Sequence, residues 1–321
     1  MRFHKIVLTG MTAIASFGLA ADAMAGGRNA GSLLLYPEFD NRTGEVSVIT
    51  VTNVSATDSV EVEFMYIGRD DSDYHSQCEE FNRAEDLTPN DTFTVITNYH
   101  NPQQEQGYAY VFAREGVGNP VVHNGLIGQV LTIDGWDHVE YSMNAVAYTG
   151  LSGDDNGNGL RDLDGNEYEA GPGELQVPRF FGQGGHFHSE LILIGLSGGV
   201  QFDTTVDFMV YNDNEVGFSA EYTFNCWEKV DLEDISGAFN NIFLQDNSGD
   251  DEDEEIGGGR EYGWFKFWGH SASSTSTDIA DPAVYGVMIE KIGDYCGSDL
   301  PWEAGTNANG KLLARSLDGQ S

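Results

Sequence analysis

Between residues 154 and 169 oxygen-bearing side chains recur at alternate positions. Asp154, Asn156, Asn158 and Asp162 stand at positions one, three, five and nine, Gly159 falls at six, and the Leu160 carbonyl falls at seven. A hard cation such as Ca²⁺ needs many oxygens from a chain that folds around it, and alternate residues in a tight glycine turn supply that convergence. A second frame follows, Asp162, Asp164 and Asn166, with Glu167 and Glu169 as further carboxylates. Gly, Asn and Asp also favour plain turns and linkers. Turn chemistry alone does not enforce alternate spacing, so the expected chemistry is a structural calcium ion.

This run resembles the calcium loops of EF-hands, dockerins and thrombospondin type 3 repeats. Gly165 stands at position twelve, where an EF-hand places a bidentate Glu, so Glu167 or Glu169 would have to substitute. Gly150, Gly153, Gly171, Pro172 and Gly173 flank the loop and argue against long helices on either side, which confines the resemblance to the loop.

Other constellations carry weaker signals. His186, His188 and Glu190 alternate, so on a strand they would share one face, and two histidines with a carboxylate can hold a transition metal. The pair resembles the His-x-His of cupins, with a shorter spacing to the Glu and no second histidine motif downstream. Gly195-Leu196-Ser197-Gly198-Gly199 matches a hydrolase nucleophile elbow, but that elbow needs a following helix and Val200 to Tyr211 reads as strand, so a turn is expected. Trp264, Lys266 and Trp268 share one strand face, as do Tyr108, Tyr110 and Phe112; such rows can stack sugar rings, yet apolar residues on the opposite faces favour core packing. With 52 acidic residues, any chosen carboxylate pair for glycoside hydrolysis is uninformative. Three cysteines, Cys78, Cys226 and Cys296, allow one disulfide with one thiol left over.

The elements that must position these groups are short strands. Val46 to Val51, Val60 to Ile67, Thr92 to Thr97, Tyr108 to Ala113, Leu191 to Leu196, Thr205 to Tyr211 and Ala283 to Glu290 are rich in branched and aromatic residues and bounded by turn formers. Only Asp231 to Phe243 suggests a short helix. The chain also repeats itself: Val62-Glu63-Phe64-Met65-Tyr66 and Gln106-Gly107-Tyr108-Ala109-Tyr110-Val111-Phe112 are echoed by Val206-Asp207-Phe208-Met209-Val210 and Tyr262-Gly263-Trp264-Phe265-Lys266-Phe267-Trp268. Cys78-Glu79-Glu80 and Glu85-Asp86-Leu87-Thr88 resemble Cys226-Trp227-Glu228 and Glu233-Asp234-Ile235-Ser236, which suggests matching positions for the two cysteines. The expectation is an all-β chain of two tandem antiparallel β-sandwiches, jelly-roll or Ig-like, from an internal duplication. The first spans 26–150 and the second 175–295, with the calcium-type linker at 151–174 and a polar tail at 296–321. An acidic run, Asp250 to Glu255, interrupts the second unit as a solvated loop.

Composition and the N-terminus set the location. Arg2 and Lys5, an apolar run from Ile6 to Ala20, and Ala23-Met24-Ala25 read as a signal peptide, residues 1–25, which implies a secreted protein, extracellular or periplasmic. A net charge of −37 repels nucleic acids and anionic lipid, and no later apolar run is long enough to span a bilayer. Runs such as Leu34-Leu35-Tyr36-Pro37-Glu38-Phe39-Asp40-Asn41 and Leu87-Thr88-Pro89-Asn90-Asp91-Thr92 resemble secreted β-sandwich proteins of environmental bacteria. That resemblance implies a fold and a location but no activity. The expected role is non-catalytic, in adhesion, surface or matrix assembly with a cell-surface glycan or matrix protein as partner; a carbohydrate-binding protein or hydrolase is the alternative.

Overall fold

Strict alternation of buried and half-buried residues along Glu45–Asn53 marks a strand with one face in a core. In the computed structural model, which describes residues 29–69, 79–116, 119–135, 138–151, 162–198, 202–248 and 260–310, nearly all regular structure is of this kind. The first half contains β1 (Leu33–Asp40), β2 (Glu45–Asn53), β3 (Val60–Arg69), β4 (Glu79–Leu87), β5 (Thr92–Ile96), the single turn α1 (Thr97–His100), β6 (Gln106–Arg114), β7 (Leu126–Asp134), β8 (Val139–Asn144) and β9 (Val146–Tyr148). The second half contains β10 (Glu174–Phe181), β11 (Glu190–Gly195), β12 (Asp203–Asn212), β13 (Gly217–Asn225), β14 (Trp227–Asp231), α2 (Leu232–Ile235), α3 (Asn241–Ser248), β15 (Tyr262–Ser273), β16 (Asp278–Ala280), β17 (Val284–Ile292), β18 (Tyr295–Asp299) and β19 (Trp302–Ala304). Every segment read as a strand from sequence overlaps one, with Thr97 falling in α1 and Leu196 just beyond β11.

Four antiparallel sheets result. In the first half the strand orders are β4-β3-β6-β1-β9 and β5-β2-β7-β8; in the second they are β13-β12-β15-β10-β19 and β14-β11-β17-β18. Taken in chain order, with β16 set aside, the two halves have the same order. The register agrees as well. β1 bulges between Tyr36 and Phe39 opposite β6, β10 bulges between Val177 and Phe180 opposite β15, and a proline, Pro37 or Pro178, sits in each bulge. Proline has no N–H to give to a ladder, so a bulge is where a strand tolerates it. Beside each bulge lies a glycine, Gly107 or Gly263, where a Cβ would overlap the carbonyl oxygen of Ile67 or Tyr211 on the neighbouring strand.

Within the first sandwich Tyr36 of β1 reaches across to donate a hydrogen bond to the Thr50 carbonyl at 2.9 Å, and its hydroxyl occupies the space that a Cβ at Gly128 of β7 would need. The second sandwich then packs on the first. β1 lies against β11, β6 against β14 and β8 against β18. All eight residues of β1 are therefore buried, and so are Tyr108, Tyr110 and Phe112 on β6. The Trp227 indole donates to the Pro37 carbonyl at 2.8 Å, and Ser298 Oγ donates to the Ser142 carbonyl at 2.8 Å.

Several sequence expectations require correction. Cys78 directly precedes β4, whereas Cys226 follows β13, so the two cysteines are one strand apart in the common order. Glu85-Asp86-Leu87 ends β4, whereas Glu233-Asp234-Ile235 lies in α2. In a chain with 52 acidic residues, short acidic words match by chance. β18 and β19 occupy the segment expected as a polar tail, and Gly310 bridges back to Leu163.

Candidate functional site

Of the calcium-type residues, Asp154, Asn156, Asn158 and Leu160 lie outside the described residues. Asp162, Asp164, Asn166, Glu167 and Glu169 are described, and they form a tight turn. Asp164 Oδ1 accepts the backbone N–H groups of Asn166 and Glu167 at 2.8 and 3.2 Å, and Gly165 takes a φ of 88° that an L side chain resists. Burial raises the Asp164 pKa, but these hydrogen bonds outweigh it and hold the carboxyl below its usual value. Glu167 is fully buried and Asp162 nearly so; Glu167 Oε2 accepts the Asp162 backbone N–H. Glu169 is half-buried.

The remaining candidates are separate. Glu190 forms ion pairs with Lys291 at 3.0 Å and Lys229 at 3.6 Å, while His186 and His188 are exposed and the His188 ring lies 2.9 Å from the Gly185 carbonyl. Among the described residues no group of three His, Cys, Asp or Glu could hold a metal. Ser197 is buried; its hydroxyl donates to the Asn309 carbonyl and accepts the Ala283 N–H, which fits the expected turn. Cys296 is a free, half-buried thiol whose pKa burial pushes up to about 11. Cys226 is buried, and Cys78 lies outside the described residues.

Sequence reasoning missed a polar network between the sandwiches. Glu38, fully buried on β1, accepts Lys229 Nζ at 2.9 Å and the Tyr141 hydroxyl, and Lys229 Nζ lies 2.9 Å from the same hydroxyl. Burial lowers the Lys229 pKa, but Glu38, Tyr141 and Glu190 outweigh it and hold the ammonium well above its ordinary value. The available signal was Glu38, a carboxylate set in the otherwise apolar run Leu33–Phe39.

The two aromatic rows have opposite fates. Tyr108, Tyr110 and Phe112 are buried as expected. On β15, Phe265 and Phe267 fill the core, but Trp264 is 37% exposed, and Lys266 and Trp268 are half-exposed; the core reading fails for this face because no element covers it among the described residues. Trp264 stacks on its cross-strand partner Tyr211, with ring centroids 4.7 Å apart and planes at 13°. Lys266 lies over the Trp268 ring and pairs with Glu174 at 2.8 Å. Register places Met209, Lys266, Gln176 and Trp302 in one row across β12, β15, β10 and β19, so Trp302, 71% exposed, belongs to the same face. Beside the Tyr211–Trp264 stack a groove of about 560 Å³ opens between Pro178–Arg179 and Asp213–Glu215. Glu215 adopts a left-handed φ of 62° at the β12–β13 turn, a conformation uncommon for a non-glycine residue.

At the matching positions in the first sandwich, Leu33, Leu35 and Tyr110 stand where the second has Glu174, Gln176 and Lys266. At these positions the first face is apolar and covered; the second alternates flat aromatic rings with hydrogen-bonding groups and is open. The chain matches no described protein family and no curated protein. Among solved structures it is similar to a chain from the top component of cowpea mosaic virus, its naturally occurring empty particles, at 12% identity over 94% of this chain and 100% of that one, with a TM-score of 0.17. The assignment as a pair of antiparallel β-sandwiches rests on the strand order and register of the chain itself.

Proposed function

We propose that this is a secreted, non-catalytic adhesion protein, derived by duplication of one β-sandwich, that presents the outer face of its second sandwich to an extracellular partner. The carrying observation is the contrast between the two related faces: the first is buried under the second sandwich, while the second displays Trp264, Trp268 and Trp302. Exposed aromatic patches of this kind mark interaction sites. A non-catalytic role is supported by Ser197, whose hydroxyl is committed on both sides to backbone groups.

In this reading calcium stiffens the linker between the sandwiches. The support is the alternate spacing of Asp154, Asn156, Asn158 and Asp162 around Gly159, which gathers the oxygens a hard cation needs. A single disulfide adds a covalent tie. Cys296 is a free thiol, which in a chain of three cysteines leaves Cys78 and Cys226 as the pair to be joined.

The test is adsorption of labelled mature protein to cell-surface and matrix preparations. Wild type should adhere, and Trp264→Ala and Trp302→Ala should lose most of the signal at unchanged thermal midpoint. Equal adherence of the variants would remove this face from the function. N-terminal sequencing of exported protein should begin at Gly26.

A further inference from the structure

We propose that the open face of the second sandwich binds an uncharged polysaccharide, with the flat C–H faces of its pyranose rings stacked on Trp264, Trp268 and Trp302. This names the partner class for the adhesive face proposed above and rests on that reading.

The layout of the face suits an extended chain of flat, polyhydroxylated units. Strand spacing places the Trp264 and Trp268 backbones about 13 Å apart along β15, and β19 lies about 10 Å from β15 across the sheet. Rings so spaced cannot be covered by one small apolar ligand. Between them stand hydrogen-bonding groups, Gln176, Glu174 and Lys266, where the first sandwich carries apolar side chains. An aromatic ring contributes apolar area with little conformational entropy to lose, and interspersed amide, ammonium and carboxylate groups can meet hydroxyls.

Charge selects among sugars. Among the described residues both cations beside the platform already have a carboxylate partner, Lys266 with Glu174 and Arg179 with Glu290 at 2.7 Å, and the His270 ring lies 3.0 Å from Asp207. Asp213 and Glu215 line the groove beside the Tyr211–Trp264 stack, and the whole chain carries −37. Uronate, sulfate or phosphate groups would therefore meet net negative potential.

A second copy of the chain fits the face poorly. Inside the molecule the corresponding contact is anchored by Trp227 and Lys229 of β14 on Pro37 and Glu38 of β1. By register, repeating it between molecules would offer Thr92 and Thr94 of β5 to Pro178 and Arg179 of β10. Threonine supplies neither the indole anchor nor a charge for Arg179.

Calorimetry and tryptophan fluorescence of the mature protein with cello-, chito-, manno- and xylohexaose, polygalacturonate and phosphatidylcholine vesicles test the proposal. The expected result is saturable binding of at least one neutral hexasaccharide, weakened at least about tenfold in Trp264→Ala and in Trp302→Ala and unchanged in Tyr99→Ala, which alters an exposed ring of α1 in the first sandwich. Trp302 is so exposed that its removal should leave folding intact, which keeps the test decisive if Trp264→Ala is unstable. Preference for polygalacturonate or for vesicles, failure of every neutral glycan, or full binding by Trp302→Ala would overturn the proposal. Failed glycan binding alongside Trp-dependent surface adsorption would overturn the sugar and leave the adhesive face standing.

Discussion

At the scale of single residues, the best-determined chemistry is the ion pair between Glu38 and Lys229. Glu38 has no solvent exposure, so Lys229→Ala should strand a buried carboxylate and cost about 3–5 kcal/mol in denaturant unfolding. The double variant Glu38→Gln with Lys229→Met should recover much of that, because neither partner then carries charge. The folded-state pKa of Lys229 lies above its unfolded value, so this pair's contribution is intact below the unfolded lysine pKa and is lost only in stronger alkali. The Glu45 contribution is also lost as pH rises, but at far lower pH. Burial, then Asp134 and Asp40, raise its carboxyl pKa to about 7 against Arg42, so the folded state holds a proton that the unfolded chain has released above its own, lower value. Stability should therefore fall as pH rises from about 4.5 through 7. Glu45→Gln should raise the thermal midpoint at pH 8, by roughly 2–4 °C for each kcal/mol relieved, and leave it nearly unchanged at pH 4.5.

At the scale of elements, the repeated bulge is the most informative unit. Pro37 with Gly107, and Pro178 with Gly263, recur as one unit: the bulged strand faces a glycine whose other side meets the carbonyl of Ile67 or Tyr211 on the next strand. Gly263→Ala should destabilise the fold by several kcal/mol, since the clash is with backbone that cannot rotate away; Gly297→Ala, where nothing lies near the added Cβ, is the control. Strands β2, β3, β6, β11, β12 and β17, inside their sheets, and the edge strand β5 were legible in sequence because one or both of their faces are apolar; the interior β7 and β10, interrupted by Gly128 and Pro178, were not legible. β4, β13, β18 and β19 were not, since they lie at or near sheet edges and read as polar: β13 and β18 alternate exposed and half-buried residues. The helical signal between Asp231 and Phe243 resolved into the short α2 and the start of α3.

At the scale of the whole molecule, rigidity between the sandwiches has three proposed sources: the Glu38–Lys229 contact, calcium and a disulfide. Calorimetric titration with Ca²⁺ should give heat in wild type and much less in Asp154→Ala and Asp162→Ala. At about a hundredfold excess over Kd the ion should add about 2.7 kcal/mol to stability. No heat in wild type would dismiss the ion. Non-reducing peptide mapping should show Cys78 joined to Cys226 with Cys296 alkylated, and three alkylated thiols would refute the bond.

Sequence alone determined the all-β class, several interior strands and the correspondence of β3 with β12 and of β6 with β15, because side-chain alternation and turn residues act locally and are written in order along the chain. It also marked Ser197 as a turn. It could not tell which aromatic row would be covered. Tyr108, Tyr110 and Phe112 differ little in type from Trp264 and Trp268, and both rows back onto apolar strands. Only the tertiary structure separated them, since one sandwich can cover its neighbour's face without covering its own outer one. Burial of the first row and exposure of the second follow from the order in which the sheets stack, a property of the whole fold that no local pattern of residues encodes.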